Sequence, residues 1–465
     1  MAAFGTSGIR GLQEDFTDGL CAAYVTAFLE HIAGIATVRR AYIASDFRFS
    51  SPRIAGSCLA AVRKAGWEPV WAGQVPTPAV AAYAMAEGAA AIMITGSHIP
   101  EEYNGIKFYR PDGEFLKEDE APVRSRAEAL IAEGYDAGRE ETGAAFAPVA
   151  RDYVARWSAA FGADALAGLK IGIDQHSAVG RDLLVEIFES LGASVHPFRR
   201  VEGFIAVDTE ALDPADVERS RGVIAEHGLD AVISTDGDGD RPLVIDDTGR
   251  QVNGDVLGAL TAHFLKARTV VTPLSSTSAI EESGWFETIE RTRIGSPFVV
   301  AGMNAATAHP VVGFEANGGF LLGDDVTLAG GVLKRLPTRD SALPAIAALA
   351  AARKAGVKLS ALGASLPPRV MKADRVKNVP ADKANPFLKQ IETARDFRAA
   401  FDARIADPVS ISTMDGVRMA FANGDTVHFR QSGNAPEMRI YVETASSAAT
   451  DTLLSELIAT LRAKI

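Results

Sequence analysis

The sequence predicts an α/β protein, with three similar α/β units followed by a smaller α+β unit. Three observations predict it. A strand–loop–helix–glycine–strand pattern recurs with its first strands near residues 41, 169 and 269. After about residue 370 the texture changes to short alternating stretches. A chain of 465 residues is too long for one hydrophobic core and divides into roughly three or four domains.

The first copy, "RAYIASDFRFSSPRIAGSCLAAVRKAGWEPVWAG", opens on an apolar strand at 41–45 and crosses a polar loop. It enters a helix with Pro52 near its first turn, stops at Gly66 and resumes as a strand. "LKIGIDQHSAVGRDLLVEIFESLGASVHPF" repeats this, with a strand at 169–173, a helix at 180–191 and Gly192 as the stop. "RTVVTPLSSTSAIEESGWFETIERTRIG" is a shorter third version with Gly284 in that place. Strand, helix and strand in this rhythm mean βαβ units around a mostly parallel sheet. Further on, "MDGVRMAFANGDTVHFR" has two alternating stretches around Asn423-Gly424, a hairpin signal. "EMRIYVE" reads as another strand and "SAATDTLLSELIATLRAKI" as a closing amphipathic helix. The expected domains are 1–145, 146–254, 255–370 and 371–465.

Composition narrows the class. Hydrophobic residues at 47% and charged residues at 23% are ordinary for a soluble globular protein. A net charge of −12 argues against a nucleic-acid or anionic-membrane partner. An anionic small molecule remains open, provided basic residues gather in a cleft. Cys21 and Cys58 lie in apolar, helix-like stretches and read as core residues. "MAAFGTSGIRG" lacks the apolar segment of a signal peptide. The most apolar helix, at 341–356, is too short to cross a membrane and ends in Arg353 and Lys354. A cytoplasmic enzyme, monomer or dimer, is the expectation.

The chemistry concentrates in "STDGDGDRPLVID", where Asp236, Asp238 and Asp240 fall within five residues between two apolar strands. Gly237 and Gly239 let the backbone wind tightly so that the carboxylates converge. Oxygen ligands suit a hard divalent cation such as Mg²⁺. An EF-hand fails, because Arg241 stands where its glycine belongs, Asp247 replaces its final glutamate, and strands replace its helices. A solvated Asp-Gly turn is the plainer alternative. Three carboxylates leave such an ion short of ligands, and a phosphate could complete it. "AAIMITGSHIPEEYNGIKFY" runs from a buried strand into a loop with Ser97, His98 and Lys107, where α/β proteins place ligands. On this segment alone Ser97 could equally be a turn or capping residue.

"TGSHIPEEYNGIKFY" resembles the phosphoserine loop of the α-D-phosphohexomutases, the phosphoglucomutase/phosphomannomutase superfamily. "DGDGDR" resembles its metal loop, "GFEANGG" at 313–319 its sugar-binding loop, and "RQSGNAPEMRIYVE" its phosphate-binding loop. "FGTSGIRG" is similar to its N-terminal signature. The motifs occur in the family's order and cover the chain. The resemblance implies four domains around a central cleft and conversion of hexose 1-phosphate to hexose 6-phosphate through a hexose 1,6-bisphosphate. Ser97 would carry the phosphate, with Asp236, Asp238 and Asp240 holding one Mg²⁺ per chain against it. Arg241, Lys107 and Arg10 would face the reacting oxygens, and His98 would orient the nucleophile. Glu315 and Asn317 would bind sugar hydroxyls. Arg430, Ser432, Gly433 and Asn434 would grip the phosphate that is not reacting. A hexose 1,6-bisphosphate would serve as activator, and the partner would be a phosphosugar, with no nucleic acid or membrane.

Two departures matter. Gly319 and Ser296 stand where many relatives have histidines, which leaves the general base unassigned and puts weight on Lys107 and His98. The "GSHIP" and "FEANGG" variants are most similar to a bacterial phosphomannomutase branch. Phosphoglucomutase, phosphoglucosamine mutase and a non-catalytic phosphosugar-binding protein stay as alternatives.

Overall fold

Glycine stops and apolar strands build three mixed sheets in succession. The computed structural model describes every residue except 1, 2, 6, 7, 211 and 433–435. In the first sheet, Arg40–Ser45 pairs in parallel with Glu68–Gly73 on one side and Ala90–Ile94 on the other. Helix Ser51–Lys64 makes the crossover, and Gly66 ends it at φ +78°, a conformation that costs any residue with a Cβ. In the second sheet Lys170–His176 lies parallel to Ser194–Arg200 and Ala231–Thr235, with helix Arg181–Ser190 between the first two. In the third, Thr269–Pro273 lies parallel to Thr288–Thr292, but the crossover helix shrinks to the single turn Ala279–Glu282. Antiparallel strands join each sheet as well. Tyr103–Arg110 pairs with Ala90–Ile94, and Pro242–Asp246 with Ala231–Thr235. The sheets are therefore mixed, as α/β units with return strands must be.

The last sheet is antiparallel throughout, in the order Val370–Lys377, Glu437–Thr444, Thr426–Gln431, Val417–Ala420, Ser410–Ser412. Gly424 takes φ +83° in the predicted hairpin turn, and helix Ser447–Lys464 closes the chain. These are three α/β units and one α+β unit, as the sequence pattern requires.

Packing separates the last unit from the rest. One apolar cluster runs through the first three, including Tyr42, Trp157, Ile173 and Phe314. The last has its own, from Val379 to Leu461. Its joints to the third unit are polar. Buried Glu443 accepts hydrogen bonds from Thr277 Oγ1 at 2.5 Å and Ser278 N at 2.9 Å. Asp415 accepts from Ile294 N at 3.0 Å, and Arg293 Nε donates to the Met414 carbonyl at 3.1 Å. Cys21 and Cys58 are free and buried. Among the described residues, no helix is long and apolar enough to cross a membrane.

Candidate active site

Ser97 follows the end of the buried strand Ala90–Ile94, and its backbone sits at φ +55°. A non-glycine residue in that region is strained and must be held there. Its N–H donates to Thr95 Oγ1 at 2.7 Å. Arg48, buried, donates to the carbonyls of Ser97 (3.0 Å), Ile99 (2.5 Å), Pro100 (2.5 Å) and Tyr103 (3.0 Å). Asp46 holds Arg48 Nε at 3.1 Å, and the Phe204 ring lies 3.9 Å from its guanidinium carbon. Gly96 leaves room for this clamp, since a Cβ there would come within 2.6 Å of the guanidinium.

The acidic loop meets this loop. It joins Ala231–Thr235 to Pro242–Asp246, so strands flank it and the EF-hand alternative is excluded. Gly239 takes φ +74°, and a Cβ on Gly237 would lie 2.8 Å from Phe204 and 3.0 Å from the Ser97 carbonyl. Each glycine is therefore needed, for a different reason. Ser97 Oγ donates to Asp236 Oδ2 at 2.8 Å. One oxygen from each of Asp236, Asp238 and Asp240 lies within 4.8 Å of the others, and all three residues are buried.

Their outer oxygens are spoken for. Lys107 Nζ donates to Asp238 Oδ2 at 2.5 Å and Asp240 Oδ2 at 2.8 Å. Thr77 Oγ1 donates to Asp238 Oδ2 at 2.8 Å, and Arg339 Nη2 lies 3.0 Å from Asp240 Oδ2. Asp238 Oδ1 and Asp240 Oδ1, also buried, have no hydrogen-bond partner. Buried carboxylate oxygens are normally satisfied, so this pair marks a place where a cation fits. The charges agree. Burial opposes ionisation of Asp238, yet Lys107 and Thr77 bring it below the usual carboxylate range. Burial opposes that of Asp240 too, and Arg339 with Lys107 outweighs it. Asp236 is driven up by burial and then by its two acidic neighbours. Lys107 and Arg339 do not offset all the charge of three crowded carboxylates, since Asp236 is still raised, so Ser97 and the triad could hold a divalent ion.

Basic groups gather around the same point. Burial lowers Arg10 to about 10, assisted by repulsion from Arg241 and Arg339. Guanidinium groups crowded in this way suit an anionic ligand. Arg241 N donates to Asp236 Oδ1 at 3.2 Å, and its Nη1 donates to His98 Nδ1 at 2.8 Å. His98 Nδ1 is also 3.4 Å from Ser97 Oγ. Burial, then Arg241, lowers the His98 imidazole to about 4. The Nδ1 lone pair of His98 is held by Arg241. Lys107 spends its ammonium on two aspartates.

Glu315 and Asn317, expected to bind sugar hydroxyls, are buried on the third sheet's side. Glu315 Oε2 lies 3.5 Å from Arg339 Nη1, while Asn317 Oδ1 accepts from Gly319 N at 2.9 Å. On the last unit, Arg430 Nε donates to Asp415 Oδ1 at 2.8 Å. Ser432 N donates to the Glu437 carbonyl at 2.9 Å. Gly433 and Asn434 lie outside the described residues. Arg439 donates from Nε and Nη2 to Glu437 Oε1. These contacts of Arg430, Ser432 and Arg439 lie within the last unit. Ser97, His98, Lys107, Arg241 and the triad thus stand together at one buried site, with Arg10 in electrostatic reach of it and Glu315 beside it through Arg339. Sequence reasoning missed Arg48 and Arg339, each a lone arginine with no motif around it.

Family models describing phosphoglucomutase/phosphomannomutase α/β/α domains I, II and III match residues 1–132, 151–249 and 253–370. A phosphomannomutase of Sinorhizobium fredii is 42% identical, over 99% of this chain and 99% of its own length. One from Salmonella muenchen is 37% identical, over 99% and 96%. The crystal structure of a phosphoglucomutase/phosphomannomutase family protein from Burkholderia thailandensis superposes with a TM-score of 0.77 at 20% identity, covering 98% of this chain and 96% of that one. At that identity the likeness concerns the fold.

Proposed function

The chain belongs to the phosphoglucomutase/phosphomannomutase family, and on that premise we propose that it interconverts mannose 1-phosphate and mannose 6-phosphate. One observation carries the reading: the Ser97 hydroxyl lies 2.8 Å from Asp236, beside two buried carboxylate oxygens that have no hydrogen-bond partner. When bound, one Mg²⁺ per chain supplies positive charge against the phosphoryl oxygens. Asp236, Asp238, Asp240 and the Ser97 oxygen would hold it. Phosphorylated Ser97 gives its phosphoryl group to the free hydroxyl of a sugar monophosphate. The P–Oγ bond breaks as the new P–O bond forms, and the hydroxyl proton ends on Ser97 Oγ. Arg10, Arg241 and Lys107 stabilise charge spread over the transferring group. The hexose 1,6-bisphosphate turns over and returns its other phosphate to Ser97. The same bisphosphate, added from outside, primes the unphosphorylated enzyme.

Arg430 and Ser432, with Gly433 and Asn434, grip the phosphate that is not reacting. Glu315 and Asn317 bind ring hydroxyls. Glucose and mannose differ only at C2, so a loop that reads O3 and O4 discriminates between them weakly. The preference for mannose rests on the phosphomannomutases of S. fredii and S. muenchen.

The test is a substrate panel of mannose 1-phosphate, glucose 1-phosphate and glucosamine 1-phosphate, with Mg²⁺ and glucose 1,6-bisphosphate. Mannose 1-phosphate should give the highest kcat/KM, with glucose 1-phosphate also turned over. Binding without turnover of any of the three would replace the mutase with a phosphosugar-binding protein.

A further inference from the structure

We infer that Arg339 is a positioning residue of the transfer site, binding the metal loop to the sugar loop. The inference rests on the mutase reading above. Arg339 lies in strand Leu336–Asp340, with its side chain 3% exposed. Its guanidinium stands among carboxylates of three different units. Nη2 is 3.0 Å from Asp240 Oδ2, Nη1 is 3.5 Å from Glu315 Oε2, and Nε is 3.9 Å from Glu114 Oε1. Three carboxylates buried this close to one another need a fixed counter-charge. A planar fork can face several of them at once, where an ammonium acts as a single point.

Position 319 explains why the arginine fits. A Cβ built on Gly319 would lie 2.7 Å from Arg339 Cδ and 2.8 Å from its Cγ. The stem of Arg339 fills the volume that a side chain at 319 would take. An imidazole at that place could not share the site with it. Gly319 and Arg339 are a matched pair, and the sugar loop closes over the arginine.

Two effects follow from this placement. Arg339 and Lys107 occupy Asp240 Oδ2, which leaves Oδ1 for the cation. Arg339 also fixes the Glu315 carboxylate that the sugar hydroxyls meet. It acts through these residues, so it governs metal affinity and sugar grip together.

The experiment compares Arg339→Lys, Arg339→Ala, Gly319→Ala and the Gly319→Ala/Arg339→Ala double variant. Mn²⁺ binding is followed by electron paramagnetic resonance, kcat and KM are measured separately, and melting curves report the fold. Arg339→Lys should weaken Mn²⁺ binding by about 10- to 100-fold and raise KM, with the fold retained. Gly319→Ala should reproduce that pattern by displacing the arginine. In the Arg339→Ala background, Gly319→Ala should cost little more, because the clashing Cγ and Cδ are gone. If Arg339→Ala does not fold, the Lys and Gly319→Ala variants decide alone. Parental Mn²⁺ affinity in Arg339→Lys, or fully multiplicative effects in the double variant, would overturn the inference. A parent protein that binds Mn²⁺ but turns over no hexose phosphate would sink the mutase reading instead, and the Mn²⁺ comparison would still judge Arg339.

Discussion

Ser97 Oγ and Asp236 Oδ2 are 2.8 Å apart across 139 positions of sequence. The nucleophile assignment follows from that contact. Ser97→Ala should lower mutase turnover by at least about a thousandfold, with the melting curve intact. Intact-mass analysis of the parent should find a fraction with one phosphate on the peptide containing Ser97. Near-parental turnover in the variant would refute the assignment.

The strained backbone at Ser97 gives a companion test. At φ +55° glycine is at ease and alanine is not. Ser97→Gly should be as inactive as Ser97→Ala yet more stable than it, by roughly 1 kcal/mol. Equal denaturation midpoints would show the loop relaxing once the serine is gone.

Arg48→Met removes a buried guanidinium that holds four loop carbonyls and Asp46. It should destabilise the fold by roughly 3–5 kcal/mol, read as a shift in the urea midpoint. A shift within about 0.5 kcal/mol would mean that the nucleophile loop is held by something else.

Arg430→Ala should act on binding more than on chemistry. Losing a charge-assisted grip worth about 1.5–3 kcal/mol should raise KM by roughly 10- to 150-fold, with a much smaller change in kcat. An unchanged KM would remove the last unit from the site.

Asp255 supplies the pH dependence. Its buried carboxyl is raised to about 6 by burial and then by Glu443, against hydrogen bonds from Thr277 N and Val256 N. The folded value lies above the unfolded one, so the protonated form favours folding. That contribution is complete below about pH 4 and is lost as the pH rises through about 6. Between pH 4.5 and 7.5, Asp255→Asn should gain roughly 2 kcal/mol relative to the parent. A constant difference across that range would place the Asp255 carboxyl at its ordinary value.

What the sequence made legible was whatever it writes locally. The βαβ rhythm shows because apolar strands and the stops Gly66 and Gly192 are contiguous signals. The triad shows because its three carboxylates fall within five residues. Arg48 and Arg339 were invisible for the opposite reason. Their partners lie far away in the chain, as Ser97 does from Arg48 and Asp240 from Arg339, and a single arginine in or after a strand looks like any other. His98 was visible, but the Arg241 hydrogen bond that occupies its Nδ1 was not. The third copy reads shorter than the other two in sequence, and its crossover helix is the single turn Ala279–Glu282.

The private core of the last unit has an evolutionary corollary. A module fastened by Glu443, Asp415 and the Met414 carbonyl, rather than by shared oily packing, can be exchanged as a cassette if those three sockets are kept. Recombination between relatives could then retune which cargo is grasped while inheriting the transfer chemistry unaltered.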